Sequence, residues 1–101
     1  MRATRDIVLA KPCVEDPSLF IAESNFGRGL DMEMVCRILD KLDVPERRCS
    51  IRLGVARFRL DNWQVMIYRK GRIDVRRVTG VDNAADAIGQ VESIVTLAFQ
   101  D

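Results

Sequence analysis

Arg52-Leu53-Gly54-Val55-Ala56-Arg57-Phe58-Arg59-Leu60-Asp61-Asn62-Trp63-Gln64-Val65-Met66-Ile67-Tyr68-Arg69-Lys70-Gly71-Arg72-Ile73-Asp74-Val75-Arg76-Arg77-Val78 reads as three antiparallel strands joined by two tight turns. Asp61-Asn62 makes the first turn, because both residue types tolerate the left-handed backbone that a two-residue hairpin loop asks for at both positions. Counting outward pairs Leu60 with Trp63, Phe58 with Val65 and Ala56 with Ile67 on one face. Arg59 with Gln64, Arg57 with Met66 and Val55 with Tyr68 then fall on the other. Arg69-Lys70-Gly71 suits a three-residue loop whose last residue is a left-handed glycine. That register sets Val65 against Val75 and Ile67 against Ile73, whereas a two-residue loop would set Ile67 against Asp74 and exchange the faces.

The sheet therefore has two unlike sides. Ala56, Phe58, Leu60, Trp63, Val65, Ile67, Ile73 and Val75 form a core face. Arg57, Arg59, Gln64, Met66, Tyr68, Arg72, Asp74 and Arg76 form a basic face with one aromatic ring and one thioether. A solvated outer face of an antiparallel sheet reads the same way, so alternation by itself does not separate a wet surface from a binding platform.

A chain of 101 residues with 48% hydrophobic and 31% charged residues fits one globular domain over residues 1–101. No apolar run approaches the roughly 20 residues needed to cross a bilayer, and Met1 to Asp6 lacks the pattern of a cleaved leader. The expectation is a cytoplasmic protein with no membrane partner. Net charge is only +1, which argues against bulk attraction to nucleic acid or anionic lipid. Lys11, Lys41 and Lys70 are the lysines among 16 basic residues, so arginine dominates. Arginine suits bidentate contacts with phosphate or carboxylate, and codon bias in a high-GC genome produces the same excess.

Cys13, Cys36 and Cys49 are widely spaced and the chain has no histidine. Closed zinc and iron–sulfur sites usually need four ligands, so no cofactor and no metal are expected, and buried free thiols are the default.

Asp6 to Ala10 reads as a short strand ended by Lys11-Pro12-Cys13, and Asp16-Pro17 opens a short helical turn. Phe20-Ile21-Ala22-Glu23 is either the tail of that turn or a second strand. Ser24 to Gly29 is a loop whose glycines would let backbone approach a phosphate, without any nucleotide-loop signature. Asp31 caps a helix over Met32 to Leu42 with a stripe of Val35, Ile38, Leu39 and Leu42. Cys49 to Leu60 reads as one long strand bulged at Gly54-Val55. Asp82 caps a last helix striped by Ala84, Ala87, Ile88, Val91, Ile94, Val95 and Ala98. The fold class is α+β, an antiparallel sheet of three to five strands with two helices on one face.

In Cys49 to Ala98, the order strand, strand, glycine turn, strand and acid-opened helix resembles half of a TATA-box-binding-protein repeat, with Val65 to Ile73 matching its hairpin. That family's DNA surface uses two such halves. Lys11-Pro12-Cys13, Asp16-Pro17, Ile21-Ala22-Glu23, Tyr68, Gly71-Arg72-Ile73, Arg77-Val78, Asp82 and Ala85 together resemble a small domain of methanogen proteins, which in some of them follows an iron–sulfur segment. This second resemblance implies an archaeal accessory or interaction module and no reaction. The cluster's closely spaced cysteines are absent, so no cluster ligand carries over.

No histidine, compelled carboxylate pair or nucleophile with a base supports an enzyme, and Asp74 reads as an ion-pair partner of Arg72 and Arg76. The expected function is a non-catalytic interaction domain acting through a protein partner or a homodimer. Its expected surface is Arg57, Arg59, Met66, Tyr68, Arg72 and Arg76. Nucleic-acid or anion binding on the same face, and an accessory role beside an iron–sulfur protein, are the alternatives.

Overall fold

The computed structural model describes residues 6–12 and 16–100. Met1 to Arg5, Cys13 and Asp101, which carried parts of the expectations on a leader, a free thiol and a fraying end, lie outside the described residues. The chain runs β1 (Val8–Pro12), β2 (Phe20–Asn25), α1 (Met32–Leu42), β3 (Arg48–Ser50), β4 (Val55–Leu60), β5 (Trp63–Tyr68), β6 (Arg72–Val78) and α2 (Val81–Ile94), closed by a 3-10 turn at Thr96–Ala98. All strands join one six-stranded antiparallel sheet in the order β1-β2-β6-β5-β4-β3.

Hydrophobic alternation sets the centre of this sheet. Phe58 stands opposite Val65 and Leu60 opposite Trp63, and Val65 stands opposite Val75 and Ile67 opposite Ile73. Gly71 takes φ +103° and its amide donates to Tyr68 O at 2.8 Å, closing the three-residue loop. At the other turn only Asp61 is left-handed, with φ 54°, where both Asp61 and Asn62 were expected to be. Val75 and Val78 are both fully buried although three residues apart. The register shift opposite Phe20 and Ile21 explains this, with Arg77 looped out at φ 71° so that Val78 returns to the core side.

Both helices cover the apolar face. Val35 and Leu39 of α1 and Ala84, Ala87, Ile88 and Val91 of α2 belong to the same buried cluster as Ala56, Phe58, Val65, Ile67, Ile73 and Val75. Burying each large aliphatic or aromatic side chain contributes about 1.5–3 kcal/mol. Asp31 caps α1 as expected, accepting from the amides of Glu33 at 3.1 Å and Met34 at 3.4 Å. At α2 the expectation fails, because the N-cap is Gly80, two residues before Asp82. The helix starts at Val81 after Gly80, and Asn83, not Asp82, ties it down. Asn83 Oδ1 accepts from Thr79 N at 3.0 Å and from Trp63 Nε1 at 3.1 Å.

Several boundaries also depart from expectation. The sheet has six strands instead of three to five, because Phe20–Asn25 is a strand and the stretch expected as one strand from Cys49 to Leu60 divides into β3 and β4. Phe20–Asn25 is a strand pairing β6 on one side and β1 on the other. Lys11 and Pro12 extend β1 instead of ending it. β1 pairs with β2, and its outer edge carries a bulge and Pro12, both of which discourage further pairing. Asp16 heads a turn, not a helix, its carboxylate accepting from Ser18 N at 3.0 Å and Ser18 Oγ at 2.6 Å.

Cys49 to Leu60 is likewise not one bulged strand. The chain reverses through Ile51-Arg52-Leu53-Gly54, with Gly54 at φ +69° and its amide donating to Ser50 O at 2.9 Å. Ile51 and Leu53, which a bulge would have brought onto the core side, are 48% and 74% exposed on this turn. The reversal folds β3 back along β4, placing Arg48 opposite Arg57 and Cys49 opposite Ala56.

This placement corrects the thiol expectation too. Cys36 of α1 and Cys49 of β3 form a disulfide with a Cα separation of 5.6 Å. Disulfides persist mainly in oxidising compartments, so this pair lends no support to the expected cytoplasmic setting. Among the described residues, no helix is long and apolar enough to cross a membrane.

Candidate functional site

Strand alternation sends every second side chain to the side of the sheet that the helices leave bare. One row crosses all six strands at that side, running Arg48, Arg57, Met66, Asp74, Glu23 and Val8 as successive Cα partners. A second row runs Arg59, Gln64, Arg76 and Ile21.

Five of the six expected residues, Arg57, Met66, Tyr68, Arg72 and Arg76, line one shallow concavity of about 420 Å³, together with Gln64, Asp74, Glu23, Ile21 and Ala10. Arg59 is the exception. Its guanidinium bonds Glu46 at 3.1 Å at the rim, which ties it to the connection after α1.

The two ends of the face differ electrostatically. On β2 and β6 Arg72 is matched: its Nε lies 3.0 Å from Asp74 Oδ1, and a terminal nitrogen lies 3.5 Å from Glu23 Oε2. Asp74 therefore is the ion-pair partner that the sequence suggested, with Arg72 as its guanidinium. The Asp74 hydrogen bond, and then its charge, hold Arg72 more firmly protonated than a free arginine. Tyr68 completes this cluster, donating its hydroxyl to Asp74 Oδ2 at 3.2 Å, with Arg72 Cζ 5.6 Å from its ring centroid. On β3 and β4, apart from Arg59, the charges are unmatched. Arg48 and Arg57 face each other, and neither they nor Arg76 form an ion pair with a carboxylate among the described residues.

Arg48 is the residue that sequence reasoning missed, because a continuous strand through Gly54 carries it far from Arg57. The signal was Gly54 itself. A left-handed glycine can close a turn as well as a bulge, and Arg48 and Arg57 lie almost symmetrically about the turn it closes. In and just after the glycine loop considered for phosphate, four backbone amides are committed internally. The amides of Phe26, Gly27, Leu30 and Asp31 donate to Gly71 O, Asn25 Oδ1, Arg69 O and Ala98 O.

Burial, followed by the charge and hydrogen bond of Asp74, raises the Tyr68 phenol above its ordinary value of 10.0, against a smaller opposing pull from Arg72 and Arg76. Tyr68 is the sole tyrosine, so absorbance titration reads it directly. Its midpoint should lie above 10.0 and fall back toward it in Asp74→Asn. The folded protein then holds the proton more firmly than the unfolded chain. Stability from this group is complete below 10.0 and declines as pH rises through the folded midpoint. A midpoint unchanged by Asp74→Asn would show that burial alone sets it.

No group of three histidine, cysteine, aspartate or glutamate side chains able to hold a metal ion occurs among the described residues. Comparison with family models, curated proteins and solved structures finds no match to the chain.

Proposed function

We propose that the protein is a non-catalytic docking module that holds an acidic segment of a protein partner on the bare face of its sheet. The observation that carries this reading is the directly opposed pair Arg48 and Arg57, with Arg76 nearby on the same face, in a chain whose net charge is only +1. Like charges directly opposite across a strand pair are destabilising, and a carboxylate-rich partner removes that repulsion on arrival. Met66 adds an adaptable apolar contact between the two charge environments. The reading agrees with the accessory role implied by the resemblance to the methanogen domain.

A nucleic-acid surface, which the TATA-box-binding-protein likeness would imply, is less well served. Stacking platforms rely on aromatic rings. Here Tyr68 is engaged by Asp74 and Arg72, and Trp63 is buried in the core. A second copy of the chain brings the same arginine excess and is the weaker occupant on charge grounds.

Calorimetric titration with a polyglutamate peptide at low salt tests the proposal. Saturable binding is expected that weakens as salt rises and is lost in the doubly charge-reversed Arg57→Glu/Arg76→Glu protein. Binding retained after that reversal would remove the face from consideration. Tighter binding of a single-stranded oligonucleotide than of the peptide would replace the acidic partner with nucleic acid, and a dimer abolished by the same reversal would replace it with a second copy.

A further inference from the structure

We infer that the Arg48 and Arg57 end of the face is a subsite for a phosphoryl group carried by the docked segment. This rests on the docking reading above and specifies what that surface recognises.

Three other arginines at or beside the face are answered by carboxylates within the fold, Arg72 by Asp74 and Glu23, Arg59 by Glu46, and Arg47 by Asp40 and Asp43, and Arg76, which is not, stands opposite the uncharged Gln64 and Ile21. Arg48 and Arg57 are Cα partners on neighbouring strands with no such answer among the described residues. A single carboxylate compensates one guanidinium. A phosphate monoester near neutral pH carries between about 1.5 and 2 negative charges and three acceptor oxygens, which matches two guanidinium forks.

The surroundings fit that ligand. Arg48, Arg57 and Gln64 line one concavity of about 620 Å³ together with Glu46, Arg47 and Phe58. Gln64 pairs with Arg59, two residues along β4 from Arg57, and its neutral amide supplies a donor for a third oxygen. Glu46, the one carboxylate in this lining, is held by Arg59 at 3.1 Å and so is already compensated. Arg48 also has a fixed base, since the next residue, Cys49, is tethered to α1 through Cys36. A guanidinium anchored on a tethered strand loses less freedom when it binds than one on a loose loop.

The test compares a phosphoserine-containing acidic peptide with the same peptide carrying glutamate at that position, titrated into the oxidised full chain. The phosphopeptide is expected to bind about ten-fold more tightly. Arg48→Gln and Arg57→Gln, made separately, should each erase that preference, while Arg37→Gln, exposed on α1, should leave it intact. Inorganic phosphate should displace the phosphopeptide. Equal affinity for the two peptides would overturn the phosphoryl subsite and leave the docking module standing. Failure of both peptides to bind would remove the docking module itself. Preference for a single-stranded oligonucleotide over the phosphopeptide would assign the subsite to a nucleic-acid backbone and overturn the inference as stated.

Discussion

Replacing Gly71 with alanine should cost about 3–5 kcal/mol of unfolding free energy, from backbone strain plus overpacking. Gly71 is buried at φ +103°, where an L side chain is strained. A Cβ there would stand 2.2 Å from the backbone oxygen of Arg28 and 3.1 Å from Asn25 Oδ1. A backbone oxygen cannot swing aside as a flexible side chain can. Arg28 sits in a loop held over this turn by Phe26 N to Gly71 O and Leu30 N to Arg69 O, both 2.8 Å, so moving it strains the hydrogen bonds on either side. Gly27 supplies the control. Its φ is +79° with nothing within 4 Å of an added Cβ, so Gly27→Ala should lose only the backbone part, about 1–2 kcal/mol. Urea unfolding followed by Trp63, the sole tryptophan, measures both. Equal losses at the two glycines would show that the contact with Arg28 is not what Gly71 preserves.

Removing the Cys36–Cys49 link should cost about 3 kcal/mol, the loop-closure value for a cross-link spanning about 15 residues. The observed separation is 13 residues. The expected consequence is local as well as global. The edge strand β3 has three residues and pairs only with β4, so the tether to α1 is its main hold besides that short ladder. Amide exchange should therefore quicken in β3 and α1 under a dithiol reductant, or in Cys36→Ser/Cys49→Ser, with β5 protected as before. Peptide mapping of the unreduced protein should recover Cys36 and Cys49 in one linked pair. A urea midpoint indifferent to reduction, with no linked pair, would contradict this assignment.

The centre of the fold was legible because local chemistry and the hydrophobic pattern agree there. Phe58, Val65, Ile67, Ile73 and Val75 share one face only in the register that Gly71 permits, and α1 announces itself through the Asp31 cap. The reversal at Ile51 to Gly54 was hidden for the opposite reason. Apolar residues at positions 51 and 53 imitate a core strand, yet here they lie on an exposed turn. The disulfide depends on α1 meeting β3, a non-local contact that no spacing of Cys36 and Cys49 encodes. Of the candidate surface, the alternation of β4, β5 and β6 brought Arg57, Met66, Tyr68, Arg72 and Arg76 together. Arg48 was unreadable until the reversal was known, and Arg59's placement at the rim follows from Glu46, which belongs to another segment.

The most direct measurement is an amide chemical-shift map of the oxidised, isotopically labelled protein during titration with the acidic phosphopeptide. Shifts concentrated at Arg48, Arg57, Gln64, Met66 and Arg76, and absent in Arg57→Glu/Arg76→Glu, are expected if the bare face is the docking surface. Shifts confined instead to the helical side, around the exposed Leu42 and Leu97 beside Ile38 and Ile94, would contradict it.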